Sequence, residues 1–487
     1  MPLSIFHTLP APRYRPAAWL VLALSLGGCA NFAGIGPKAR MAATNDLAAH
    51  RPAVPTVPAT PAPSMPVEPN TAWWTRFGDT QLNALVQQAL QNHPNMRLAQ
   101  ARVERAQALT EASASNEKPG VNASVDGTRQ RFSANGIYPP PLAGGVYETA
   151  NAQLSASYEW DLFGKNRAAL DSALGQVRAA QADAHAAELL LAAQVTRGYF
   201  NLLRLNALQS LAQRNLDQRE QLVALVQSRL AAGLDSPGEL RSSESSLPEL
   251  RQYTESLREQ QALARNALAA LTGQALGLQD LKPGTLANIT AQATPKALPL
   301  DVLANRPDIA AARARVEAGL SDVEAAKAQF YPNINLVAFA GLNSIGFGNI
   351  SKTGSEQWGV GPAVRMPIFD GGRLRAQLKT KSADVDMAIE SYNALVIEAA
   401  RDVGDQVATL QSLERQREEQ RVGQASAQVL HDIAAQRFAA GLGSRASLLN
   451  AQFAVLNQER QGVELIARTL DAQTQLLRAT GGGMAAH

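Results

Sequence analysis

The chain has 487 residues, enough for two or three ordinary domains, and 46% of them are hydrophobic whereas only 5% are aromatic. This composition favours long, closely packed helices over a bulky globular core. The formal net charge is only +3 and we find no long basic block, so the sequence argues against a nucleic-acid partner.

The N-terminus has the pattern of a targeting signal. Arg13 and Arg15 supply positive charge ahead of an apolar run of ten residues over 17–26. Because a membrane-spanning helix needs about 20 apolar residues, this run is too short to be one. We therefore predict a signal peptide over residues 1–28.

Cys29 is the only cysteine of the chain and cannot form an internal disulfide. The preceding Leu26-Gly27-Gly28 resembles the bacterial lipobox, which implies cleavage after Gly28 and acylation of Cys29. Ala30 follows where lipoproteins of the inner membrane usually carry aspartate, so the same resemblance implies the outer membrane. The alternative is an idle thiol. The proline-rich stretch that follows predicts an extended tether.

Helical and strand periods alternate twice along the chain. After Trp73, Trp74 and Phe77, Asp79 is placed to cap a first helix, and a second helix begins after Pro94. Beyond Pro119, and again beyond Pro332, the apolar period changes from helical to two. We predict four strands in two hairpins. In the first half, one face carries Ala150, Ala152, Leu154, Ala156, Tyr158, Trp160 and Leu162. In the second half, one face carries Ile334, Leu336, Ala338, Ala340 and Leu342 and another carries Trp358, Val360, Val364, Met366 and Ile368, whereas Val337 and Phe339 interrupt the polar side.

Each predicted strand is about ten residues long, which suits a tilted strand that crosses a bilayer. Tyr158, Trp160 and Trp358 suit an interfacial aromatic girdle. Four strands with open edges cannot stand alone in lipid, so the barrel must close between chains. Two copies would give eight strands and three would give twelve, which leaves a lumen. The alternative is a soluble sandwich with one wet face.

Two long stretches without proline, 166–232 and 373–440, predict helices of roughly 100 Å at 1.5 Å per residue. Each ends in a similar turn, Arg229-Leu-Ala-Ala-Gly233 and Arg437-Phe-Ala-Ala-Gly441, and 437 − 229 gives a spacing of 208 residues. Gly233 and Gly441 lie where a left-handed residue ends a helix. Ser236 and Ser444 are placed to cap the return helices. A plain coiled-coil rod is the alternative to a hollow cylinder.

The chain therefore reads as a duplicated unit. We predict a first repeat over 79–273 and a second over 306–477. The segments 29–78, 274–305 and 478–487 are assigned to the anchor and tether, a linker and a C-terminal tail.

The order of these motifs resembles that of outer-membrane efflux factors of the TolC type, in the lipoprotein branch represented by OprM and the NodT-like proteins. The resemblance implies a mainly α fold with a membrane β-barrel part, in which a homotrimer completes a twelve-stranded barrel. It also implies a periplasmic α-barrel, and an equatorial domain built from about 30–78, 274–305 and 478–487.

The same resemblance implies an exit duct for small molecules such as drugs, working with a periplasmic adaptor and an inner-membrane transporter of the RND type. The two glycine turns would form the periplasmic tip and aperture, with Arg229, Gly233, Asp235, Ser236, Arg437, Gly441, Ser444 and Asn450. Relatives often carry aspartate where this chain has Asn450, so Asp235 is the residue here that could supply an acidic aperture ring.

An enzyme is disfavoured. The six histidines are scattered, and no His-Glu-x-x-His or phosphate-loop pattern occurs. We therefore expect no catalytic residue, cofactor or metal site. The remaining alternatives are an outer-membrane component for type I protein secretion or for metal efflux, and a structural coiled-coil lipoprotein.

Overall fold

The computed structural model describes residues 32–42, 72–275, 281, 284–290 and 300–483. The predicted signal peptide, Cys29, most of the tether, much of the 274–305 linker and the last four residues lie outside the described part. Trp73, Trp74 and Phe77 form a buried 3-10 helix, Trp73–Phe77, where the sequence predicted the folded part to begin.

Two successions of helix, strand, strand, long helix and return helix follow each other along the chain, as the duplicated sequence predicted. The first comprises α1 (Thr80–Asn92), α2 (Pro94–Ser115), β1 (Gly120–Arg131), β2 (Val146–Trp160), α3 (Lys165–Ala231), α4 (Pro237–Glu244) and α5 (Ser246–Leu271). The second comprises α6 (Pro307–Ala328), β3 (Asn333–Ile345), β4 (Glu356–Arg365), α7 (Arg373–Ala439) and α8 (Arg445–Ala479).

The long helices α3 and α7 have 67 residues each, about 100 Å at 1.5 Å per residue. Their return helices differ. The second return helix, α8, is continuous, whereas the first is interrupted at Ser245, which we did not predict. Pro248 explains the break, because its ring excludes the carbonyl of Glu244, four residues earlier, and its nitrogen carries no hydrogen.

The described residues form two compact units. The strand unit comprises 32–40, 105–178 and 314–390, and the helical unit comprises the described residues within 41–104, 179–313 and 391–487. No described helix is both long enough and apolar enough to cross a membrane.

One four-stranded antiparallel sheet, in the order β1-β2-β3-β4, dominates the strand unit. The sequence predicted its two hairpins, β1–β2 and β3–β4. The pairing of β2 with β3, with Trp160 opposite Ile334 and Thr149 opposite Ile345, joins the two repeats in one sheet and was not predicted. The sheet leaves β1 and β4 as its two edges.

Glycines bring the helices of the strand unit close together. A Cβ on Gly175 of α3 would lie 2.8 Å from the Cβ of Ala318 on α6, and one on Gly319 would lie 3.1 Å from Val385 of α7. Because a methyl group cannot fit at the first of these distances, glycine at 175 is what permits this spacing of the helices.

The core of the helical unit contains the 3-10 helix, α1 and the middle of α3. Phe77 and Phe200 meet edge to face with ring centroids 5.0 Å apart. Asp79 caps α1, as predicted: its Oδ1 accepts hydrogen bonds from the backbone N–H groups of Gln81 and Leu82. Its Oδ2 accepts a hydrogen bond from the buried hydroxyl of Tyr199 at 2.9 Å, a contact that the sequence did not reveal.

A buried arginine ties together three helices of the helical unit. Arg306, just before α6, is 8% exposed and contacts Asp308 at 2.7 Å and Asp402 of α7 at 3.8 Å. Its guanidinium also donates to the carbonyl of Ala479, at the end of α8.

Three further ion pairs follow one another along α3 and α8: Arg197–Asp471, Arg204–Glu464 and Arg214–Glu459. Since these side chains are partly solvated, each pair is worth about 0–1 kcal/mol.

Candidate functional site

The two faces of the sheet have opposite chemistry. Cross-strand partners share a face, so the register places Val121, Ala156, Ala338 and Val360 together on one side. Large apolar side chains on this side are exposed in the single chain: Val121, Val125, Leu154, Trp160, Leu336, Trp358, Val360 and Val364. An apolar surface of this extent requires a covering partner or lipid.

The apolar face has the height of a membrane band. Along β2 it extends from Ala150 to Trp160. Ten steps of about 3.3 Å, tilted by about 40°, give roughly 25 Å, the height expected of the lipid-facing band of an outer-membrane strand.

The opposite face is polar. It carries Asn122, Ser124 and Asp126 of β1, which pair with Ser155, Gln153 and Asn151 of β2. The amide of Gln357 on β4 donates to Asn151 Oδ1 at 2.9 Å and approaches Gln153 Oε1 at 3.3 Å. Val337 and Phe339 of β3 interrupt this polar face, as the sequence pattern indicated.

The three predicted girdle aromatics do not lie at one level. Tyr158 and Trp160 lie together at the end of β2, opposite Leu336 and Ile334. Trp358 lies opposite Ala340, which pairs with Leu154. Leu154 is six residues from Trp160. At about 3.3 Å per residue, the positions of Trp160 and Trp358 along the strand direction therefore differ by roughly 20 Å. The register thus separates Trp358 from the other two.

The two predicted turns have the same backbone. In the first, Gly233 has φ 71° and the N–H of Leu234 donates to the carbonyl of Arg229 at 2.9 Å. In the second, Gly441 has φ 73° and the N–H of Leu442 donates to the carbonyl of Arg437 at 2.8 Å. Both are helix ends of the left-handed glycine type, as predicted.

The return helices also begin as predicted. Ser236 Oγ accepts from the N–H of Glu239, and the Glu239 carboxylate accepts from the N–H of Ser236 at 2.7 Å, a complete capping box. Ser444 Oγ accepts from the N–H of Ser447 at 3.1 Å, without a returning carboxylate.

The turns differ in charge. Both guanidinium nitrogens of Arg229 that face Asp235 donate to its carboxylate at 2.9 Å. The hydrogen bonds that Arg229 donates to Asp235 lower the pKa of Asp235 and raise the pKa of Arg229. In the second turn the position equivalent to Asp235 is 443 (235 + 208), and it is a glycine. Within the described part of the chain, exposed Arg437 meets no carboxylate at ion-pair distance, and Asn450 is exposed on α8.

Each turn also exposes a leucine that the sequence analysis overlooked. Leu234 is 67% exposed and Leu442 is 74% exposed. The signal was present, because both follow the turn glycine directly and are 208 residues apart.

Metal ligands do not cluster in the residues that the structure describes: no three His, Cys, Asp or Glu side chains are placed to hold an ion there. One open groove in the strand unit is lined by Trp160, Phe163, Tyr331 and Arg373.

Comparison with known proteins places this architecture in a family. The family model for outer membrane efflux proteins matches residues 85–274 and 298–482. The multidrug resistance outer membrane protein MdtQ of Escherichia coli O157:H7 is 32% identical over 478 residues, covering 96% of this chain and 98% of MdtQ. MdtP of E. coli K12, of the same description, is 32% identical and covers 85% of this chain and 87% of MdtP.

A solved structure agrees in fold. The outer membrane protein VceC of Vibrio cholerae superposes with a TM-score of 0.77 at 30% identity, covering 85% of this chain and all of VceC. With the matches to both repeats, the two-faced sheet and the paired helical turns, this shows that the chain belongs to the outer membrane efflux protein family, whose members are efflux channels of the outer membrane.

Proposed function

We propose that three copies of the chain assemble into one closed duct, the exit component of a tripartite pump that exports small molecules such as drugs. The strands would form a twelve-stranded barrel in the outer membrane, and the long helices would form a periplasmic α-barrel. The duct itself is passive: a periplasmic adaptor and an inner-membrane transporter of the RND type drive and select the cargo.

The observation that carries this proposal is a two-faced sheet with two open edges. Each unpaired N–H and C=O of β1 and β4 would cost several kcal/mol in hydrocarbon, so the edges need partners. Pairing β1 of one copy with β4 of the next satisfies both. Two copies would make eight strands whose interior fills with side chains, whereas three leave a lumen that suits the polar face.

An uncovered stripe on α7 supports assembly of the helices as well. Val422, Val429, Leu430 and Ile433 are all exposed in the single chain. Steps of seven and four place Val422, Val429 and Ile433 on one side of the helix, the pattern of a seam between helices. In a closed α-barrel, a second copy of the chain would cover this stripe.

The paired turns are proposed as the periplasmic tip that meets the adaptor. Their matched backbones and exposed leucines, Leu234 and Leu442, support a repeated docking surface. Asp235 is held by Arg229 of its own chain and Asn450 carries no charge, which favours an aperture without a ring of free carboxylates.

Membrane attachment through Cys29 is also part of the proposal. Phe32, three residues later, meets Phe330 edge to face with ring centroids 5.7 Å apart, and the backbone N–H groups of Lys38 and Ala39 donate to Asp386. The segment after the cysteine is thus held against the strand unit, which supports an anchor beside the strands.

The direct test removes the chain from cells that keep the adaptor and transporter. Sensitivity to drugs should rise, and the chain supplied in trans should restore resistance. Unchanged sensitivity across a broad panel of drugs and solvents would refute the efflux function. Native mass spectrometry of the purified protein should give a trimer, and a monomer or dimer would refute the closed twelve-stranded barrel.

Docking is tested with Leu234→Ser and Leu442→Ser combined, and with Leu263→Ser as the matched control, since Leu263 on α5 is 58% exposed and far along the chain from either turn. Cross-linking to the adaptor and drug resistance should fall in the double variant only. Equal cross-linking in both variants would exclude the turns as the docking surface.

A further inference from the structure

The polar face of the sheet carries a large aromatic ring at the middle of β3. Phe339 of β3 lies opposite Ser155 of β2 and Gly359 of β4. Since directly opposite residues point to the same side, the ring lies on the polar face and not on the lipid-facing one. If the proposed trimer is correct, that face lines the lumen and three such rings meet at one level of the duct.

The ring leans across onto the neighbouring strand. A Cβ built on Gly359 would lie 2.6 Å from Phe339 Cε1 and 2.8 Å from Phe339 Cζ. Adjacent strands are about 4.8 Å apart, so a ring standing upright on β3 would keep these atoms farther than that from position 359. The ring therefore occupies the place that a side chain at 359 would take.

The surroundings show that this arrangement depends on position 359. On one side, the Gln357 side chain extends over Gly341, its partner on β3, and donates a hydrogen bond to Asn151 of β2. On the other side, a Cβ on Gly361 would meet none of the described residues within 4 Å. A side chain at 361 would thus leave the ring in place, whereas one at 359 would displace it.

We propose that Gly359 is a positioning residue that keeps the Phe339 ring flat against the wall and thereby sets the width of the duct at this level. This rests on the proposed trimeric barrel. A branched side chain at 359 would take the place that the ring occupies, and the displaced ring would project toward the lumen. Passage of bulky solutes is then restricted while small ions still pass.

The experiment measures the width of the barrel in wild-type and variant trimers reconstituted in planar bilayers. Polyethylene glycols of graded size are added on the side of the strands, and the largest polymer that still lowers the conductance gives the width. Any resistance of the aperture is in series with that of the barrel and is common to all variants, so the cutoffs are compared between variants. The test variant is Gly359→Val, and the matched control is Gly361→Val, on the same face and strand.

We expect the cutoff radius of Gly359→Val to be smaller than that of Gly361→Val by roughly 3–5 Å, because a ring that had leaned across one strand spacing would stand up by a similar height. Adding Phe339→Ala to Gly359→Val should restore the cutoff of the control, which a merely structural defect would not do. If the valine variant does not assemble, Gly359→Ala replaces it, since its single added carbon already meets the ring.

Equal cutoffs at 359 and 361, or no restoration by Phe339→Ala, would overturn the role of Gly359 and leave the duct proposal standing. A wild-type protein that opens no channel in the bilayer would instead overturn the duct proposal, and this inference with it.

Discussion

Replacing Asp79 by alanine removes two interactions made by one side chain. Its Oδ1 caps α1 by accepting from Gln81 N–H at 2.8 Å and Leu82 N–H at 2.9 Å, and its Oδ2 accepts from the Tyr199 hydroxyl. Loss of the cap costs about 0.5–2 kcal/mol. Loss of a partner for a buried hydroxyl costs about 1–3 kcal/mol. Gln81 Oε1 lies 3.2 Å from the same hydroxyl and can replace Asp79 in part as its acceptor. We therefore expect Asp79→Ala to lower the free energy of unfolding by about 2 kcal/mol in total.

Two further variants separate the contributions. Asp79→Asn is the matched control, because an amide oxygen caps nearly as well as a carboxylate. Tyr199→Phe removes the hydroxyl alone and should cost about 1 kcal/mol. In the double variant the two losses should not add, since the residues share a hydrogen bond, and the coupling should be about 1 kcal/mol.

The assay is thermal unfolding of the purified, full-length protein, followed by circular dichroism at one fixed scan rate. A chain of this size need not unfold in a two-state manner, so Tm values are compared between variants under identical conditions. We expect Asp79→Ala to lower the Tm by roughly 2–4 °C and Asp79→Asn to lower it far less. Equal Tm values for these two variants, or full additivity with Tyr199→Phe, would refute the reasoning.

Three other predictions follow from contacts described above. Arg306→Ala should cost about 2–3 kcal/mol of stability, because it leaves the partly buried carboxylate of Asp308 without its cation. Burial alone raises the pKa of Asp308, but the hydrogen bond and charge of Arg306 bring it below its usual value. The stabilisation is therefore present above about pH 4 and lost as the pH falls through this lowered pKa. In Arg306→Ala only backbone hydrogen bonds still oppose the effect of burial, so the pKa of Asp308 rises and the Tm deficit should shrink as the pH is lowered from 7 toward 5. A constant deficit would contradict this account. Gly175→Val should lower the Tm more than Gly404→Val, on the same kind of long helix, because a Cβ at 175 meets Ala318 whereas one at 404 meets nothing within 4 Å in the part of the chain that the structure describes. Equal losses would exclude the close approach as the cause. Cys29→Ser should abolish labelling by a radioactive fatty acid, and persistent labelling would refute acylation at this residue.

Local signals in the sequence predicted the elements well. Prolines 94, 119 and 332 mark helix and strand boundaries, and alternation over 150–160 predicted a strand because only a pleated chain places every second residue on one face. The turns at Gly233 and Gly441 could be predicted because a left-handed residue after a helix is nearly always glycine. Each of these signals is contained in a few neighbouring residues.

What escaped the sequence depends on residues that are far apart or on side-chain direction. Asp79 and Tyr199 are 120 residues apart, and no local pattern links them. The β2–β3 pairing joins the two repeats and could not be read from either alone. The ion pair between Arg229 and Asp235 depends on the rotamer of Arg229, which the order of charges in the sequence does not specify. The break before Pro248 could have been found, because the proline itself is its signal.

The two helical turns have a consequence for symmetry. In the proposed trimer, three copies of a duplicated chain present six turns whose backbones are nearly equivalent, so the ring is pseudo-sixfold in shape. Its charges are only threefold, because Arg229 is neutralised by Asp235, whereas Arg437 has glycine at the equivalent position 443 and meets no carboxylate among the residues that the structure describes. A partner that assembled six identical subunits on this ring would therefore occupy two alternating kinds of position, and its neighbouring subunits would bind with different strengths.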